Sequence, residues 1–128
     1  MSTTADRPRV LAALTALLID LGCVIGFAAL GRRNHDEALT VGGVVETAWP
    51  FLLGVVLGWL LCRGWRRPAA VNPTGLTIWV CTVGVGMLMR RASAEGTPLS
   101  FVIVATLVTG LLLIGWRLTL TSLRGRIR

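Results

Sequence analysis

Lysine is absent from this 128-residue chain, histidine occurs once and cysteine three times. Each scarcity closes a route. One histidine and three cysteines spread over Cys23, Cys62 and Cys81 provide no paired metal-ligand spacing, so a metal centre is not expected. The cysteines lie in or at the ends of three different apolar runs and read as small apolar packing. No Gly-rich phosphate loop appears, and the "GVG" at 84–86 reads as helix-packing glycine. Without a nucleophile and base, a metal cluster or paired acids in reach of one another, the chain is not expected to be an enzyme or to need a cofactor.

What is present is apolar. Hydrophobic residues make up 54% of the chain and the mean hydropathy is +0.73, values that make a lipid bilayer the expected solvent. The formal charge of +7 comes from thirteen arginines. These sit at the ends of apolar runs, with no alternating aromatics for base stacking, so nucleic-acid binding is not expected. Four runs approach the roughly 20 residues needed to cross a bilayer: 10–30, 41–62, 74–89 and 99–118. The predicted architecture is an all-α integral membrane protein, a four-transmembrane-helix bundle. A short tail (1–9) precedes it and a basic tail (119–128) follows.

Orientation follows from arginine placement, because positive flanks are retained in the cytoplasm. With the N-terminus inside, that side holds Arg7, Arg9, Arg63, Arg66, Arg67, Arg117, Arg124, Arg126 and Arg128, nine against Arg32, Arg33, Arg90 and Arg91 outside. Both termini are therefore expected in the cytoplasm of a bacterial plasma membrane. The opening run reads as a retained signal anchor, since it is long and carries Asp20. Asp20 also spoils the lipoprotein-like "DLGC" at 20–23, where such sites want an aliphatic residue.

A faint repeat runs through the chain: "RR" at 32–33 and 90–91, and "GWR" at 64–66 and 115–117. It is compatible with two parallel helical-hairpin repeats, and equally with the general abundance of Trp and Arg at membrane flanks. Gly22 and Gly26 on the first span, and Gly54 and Gly58 on the second, place small residues four apart, and the two helices are expected to cross there.

Asp20 is the most informative residue. An aspartate mid-span costs roughly 2.5–3.5 kcal/mol on insertion scales and must face the interior, paired or protonated. At 100° per residue it shares a stripe with Ala13, Ala16, Val24, Phe27 and Gly31. It is either a functional proton or cation site, or structural glue bonded to backbone or to Thr82, Thr106 or Thr109. Glu46 is the second intramembrane acid. Pro50 cannot donate to the Glu46 carbonyl, so Trp49 and Pro50 mark an expected kink. A polar vestibule is predicted from Glu46, Arg32 or Arg33, His35 and Arg90, with Arg90 pairing Glu46 and His35 in headgroup water as the equally simple reading. The charged stretch "LGRRNHDEALT" (30–40) is accordingly either a solvated turn or the mouth of an ion pathway.

The blocks "DLGCVIGFAALGRRNH", "TAWPFLLGVVLGW", "PTGLTIWVCTVGVGMLMRR", "GTPLSFVIVA" and "GWR" resemble, in order, those of a family of small four-span membrane proteins, domain of unknown function 3054. The resemblance runs from Asp20 to Arg117. It implies an integral membrane protein with no assigned activity, and marks Asp20, Gly31, Arg32, His35, Trp49, Pro50, Phe51, Trp59, Gly75, Trp79, Arg90, Gly96, Thr97, Phe101 and Arg117. Two functions stay open: a small proton- or cation-coupled transporter or channel-like protein using Asp20 and Glu46, or a non-catalytic scaffold or accessory subunit of a larger complex. The expected partners are the lipid bilayer, further copies of the chain, or another membrane protein. Arg117 is read as an inner-side basic residue.

Overall fold

The computed structural model describes residues 6–34, 39–94 and 97–127. Four helices follow one another: α1 (Asp6–Asn34), α2 (Val41–Cys62), α3 (Leu76–Ala92) and α4 (Leu99–Ile127). Among the described residues there is no strand. All four helices, counting the turn that leads into α3, are long and apolar enough to cross a membrane. In hydrocarbon every backbone polar group must bond internally, which is why uninterrupted apolar sequence becomes helix here. The outer surface is apolar to match: Leu18, Leu61, Leu107 and Leu111 are each about two-thirds or more exposed.

The helix ends differ from the sequence expectation in ways that matter below. The third span is longer than 74–89. A wide turn over Val71–Gly75, whose Gly75 N–H bonds the Ala70 carbonyl at 2.9 Å, leads into α3, and the helix continues through Arg90 and Arg91 to Ala92. Cations in a last turn are favoured by the helix dipole, so the arginine pair does not end the helix. Likewise α4 does not stop near Leu118 but runs on to Ile127. The two "GWR" copies are consequently not equivalent: residues 64–66 form a 3₁₀ turn after α2, whereas 115–117 lie within α4.

Local chemistry fixes α2. Thr40 caps its start, the hydroxyl accepting from Gly43 N–H at 3.0 Å. Arg63 closes its end in the left-handed region (φ 51°), and its N–H bonds the Trp59 carbonyl. Gly64 follows because a Cβ there would stand 2.6 Å from the Trp59 ring.

Helix packing corrects the expected crossing of the first two spans. Cβ atoms built on Gly22 and Gly26 would meet nothing within 4 Å, so that face of α1 is open. Gly54 and Gly58 instead lie against α3: a Cβ on Gly54 would stand 2.6 Å from the Thr82 Cα, and one on Gly58 2.8 Å from the Ile78 Cα. The spacing of small residues marks a face able to admit another backbone, but not which helix takes it. In the "GVG" stretch, Gly86 lies under the Phe51 ring while Gly84 is open. Trp79 ties α3 to α4 by donating to the Thr106 carbonyl at 2.9 Å across Gly110.

The Asp20 stripe of α1 turns inward. Ala16, Asp20, Val24 and Phe27 are buried, and Ala13 and Gly31 half-buried. Phe27, Phe51 and Phe101 close the core between α1, α2 and α4, with ring centroids 5.4–6.2 Å apart.

Candidate functional site

Asp20 is fully buried, and its partner is Arg117, 97 residues away and equally buried. Arg117 Nη2 donates to Asp20 Oδ2 at 2.7 Å and Nη1 to Oδ1 at 2.9 Å, a bidentate fork. Two indoles complete the carboxylate. Trp59 Nε1 donates to Oδ2 and Trp116 Nε1 to Oδ1, each at 2.9 Å. Each oxygen thus accepts two hydrogen bonds, Oδ2 from α2 and α4 and Oδ1 from α4 alone. The guanidinium is also satisfied: Nε donates to the Pro68 carbonyl and Nη1 to the Leu113 carbonyl, both at 3.0 Å. Its carbon lies 4.5 Å from the centroid of the Trp116 ring. Among the described residues no buried side-chain nitrogen or oxygen lacks a partner.

The backbone makes room for this cluster. Gly75 lies over Arg117, where a Cβ would stand 2.9 Å from Cδ. The 63–75 connection therefore presses on the guanidinium with both the Pro68 carbonyl and the bare face of Gly75. The expected threonine partners are not used. Thr82, Thr106 and Thr109 donate to Ile78, Val102 and Ala105 carbonyls one turn back in their own helices. Each hydroxyl bonds the helix carbonyl one turn back, leaving Asp20 to stronger donors.

The polar residues expected on the outer side gather separately, around a cavity of about 530 Å³ at the end of α1, the start of α2, the end of α3 and the start of α4. Arg32, Glu46, Thr47, Arg90, Ser100 and Phe101 are among its lining. Arg32 crosses over Gly43 to donate to Thr47 Oγ1 at 3.2 Å, and Arg90 stacks 4.3 Å from the Phe101 centroid. The expected Glu46–Arg90 ion pair is not among the contacts of the described residues. Glu46 is exposed at the cavity. Arg33 is exposed outside the lining, Trp49 faces outward, Pro50 is buried in α2, and His35 lies outside the described residues. No group of three His, Cys, Asp or Glu side chains converges among the described residues.

Two sets thus emerge from the residues that the resemblance marks. Asp20, Trp59, Gly75 and Arg117 meet in the buried cluster, and Gly31, Arg32, Arg90 and Phe101 line the cavity at the other end. Four apolar helices around a buried ion pair define a multi-pass, all-α integral membrane protein. The chain belongs to the family described as "Protein of unknown function (DUF3054)", which matches residues 17–120, from just before Asp20 to just past Arg117. No curated protein and no solved structure matches it.

Sequence reasoning missed Trp116 and the Pro68 carbonyl, and placed Arg117 among flanking charges. A signal was available. "LTLTSL" after Arg117 is still fit to continue a helix, and an arginine with a helix on both sides is an inward-facing cation seeking an acid.

Proposed function

We propose that this chain is a non-catalytic membrane scaffold or accessory subunit, held shut by the Asp20–Arg117 cluster. The observation that carries this reading is the saturated carboxylate: both Asp20 oxygens are taken by fixed donors, one of them permanently cationic. A proton or cation carrier needs an acid whose lone pairs become available during the cycle, and four donors from two helices and a tight connection oppose that. The cluster instead joins α1, α2, α4 and the 63–75 connection at one point, as a structural staple does. The outer cavity with Glu46 is what supports the rival transport reading.

Flux measurement in proteoliposomes, paired with rescue of a deletion strain, separates the two. The scaffold reading expects no proton or cation flux above empty vesicles. It also expects the uncharged pair Asp20→Asn/Arg117→Gln to rescue in proportion to its membrane abundance. Flux from the wild type that Asp20→Asn or Glu46→Gln abolishes at unchanged abundance would overturn it.

A further inference from the structure

Beyond the buried cluster, on the side of the 63–75 connection, α1, α4 and that connection line a second cavity of about 1,090 Å³. This slightly exceeds the roughly 300–1,000 Å³ usual for small-molecule pockets. Its walls are apolar: Leu11, Ala12 and Ile19 from α1, Leu120 and Leu123 from α4. Its rim is basic, with Arg67 from the connection and Arg124 from α4, both exposed. Among the described residues, nothing anionic lines it.

We propose that this cavity is a binding site for one anionic phospholipid of the surrounding bilayer. Its acyl chains would lie along the α1 and α4 walls, and its phosphate would sit between Arg67 and Arg124. The charge pattern selects the occupant. Long apolar walls under two guanidinium groups match a molecule with an apolar body and an anionic head, and arginine suits phosphate through its planar fork. Basic pockets between membrane helices are known to favour such headgroups. A second copy of the chain is a poor fit for the same groove, since it would bring an equally arginine-rich end against this one.

The site also touches the cluster. Pro68, whose carbonyl accepts from Arg117, and Trp116, whose indole donates to Asp20, both belong to the cavity lining. A lipid seated there would brace the connection and α4 against the ion pair, so its occupancy is readable as thermal stability of the whole bundle. The inference rests on the membrane architecture and holds whether or not the chain transports anything.

The test compares unfolding temperatures in phosphatidylcholine vesicles with and without phosphatidylglycerol. Wild type is expected to gain about 4 °C with the anionic lipid, as for a ligand at roughly tenfold excess over Kd. Arg67→Gln/Arg124→Gln should lose most of that gain. Arg63→Gln/Arg66→Gln removes the same charge from the same end but outside the lining, and should keep it. Ala12→Trp, which fills the apolar wall and leaves both arginines, should lose it too, and serves if the first pair does not fold. No gain in wild type, or equal loss from both arginine pairs, would overturn the site and leave only a diffuse attraction of basic surface to anionic lipid.

Discussion

Arg117 Nη2 sits 2.7 Å from Asp20 Oδ2, with neither side chain exposed, and this buried ion pair ties the first helix to the last. A lone charge at this depth costs more than the pair does, because taking either ion out of water is repaid only by the other and by the bonds around both. The indoles of Trp59 and Trp116 and the carbonyls of Pro68 and Leu113 supply those bonds.

Removing one partner should therefore be worse than removing both charges. Arg117→Gln alone, or Asp20→Asn alone, is expected to lower unfolding stability by about 3–5 kcal/mol, since each strands a buried charge. Asp20→Asn/Arg117→Gln should lose clearly less than the sum of its single changes. Denaturation in detergent across the four-member cycle measures the coupling, and strict additivity would contradict the staple.

The two tryptophans should contribute unequally. Trp59→Phe removes a buried donor to a carboxylate, a change of about 1.5–3 kcal/mol, while the Trp116 bond is only partly buried and its loss should cost less. Thermal melts of the two single variants rank them. A reversed order would mean that the cavity side of the cluster carries more of the load.

Alanine substitutions should sort the glycines by neighbour. Gly54→Ala and Gly58→Ala push a methyl against the α3 backbone and should destabilise by about 1–3 kcal/mol. Gly22→Ala and Gly26→Ala meet open space and should be neutral or slightly stabilising, by up to about 1 kcal/mol, because alanine is the better helix former. A large loss from the latter pair, measured in native membranes, would point to another copy or partner resting on that face.

The arginine distribution predicts cytoplasmic termini. In a cysteine-free background, Ser93→Cys should react with an impermeant thiol reagent applied outside intact cells, and Ser122→Cys should react only after permeabilisation. Both serines are exposed, so failure to label reflects the side of the membrane and not burial. The opposite pattern would invert the orientation.

The spans were legible because lipid leaves little choice. An apolar run of about 20 residues has one way to satisfy its backbone, and the inward stripe of α1 follows from helical periodicity around Asp20. Helix pairing was harder to read. Gly22/Gly26 and Gly54/Gly58 carry the same spacing, yet only the second pair meets another backbone. Nothing local distinguishes them, since the difference lies in which helix arrives.

Sequence alone determined that Asp20 must be buried and compensated, because the energy of a carboxylate in hydrocarbon depends on its residue type and depth. Tertiary structure alone decided how. Arg117 ends an apolar run and so looks like a flank, but α4 continues for ten residues beyond it and Gly75 leaves its side chain room. A guanidinium on a long, flexible stem can reach outward to water or inward to an acid. Only the meeting of α1 and α4, 97 residues apart in the chain, put that acid within reach.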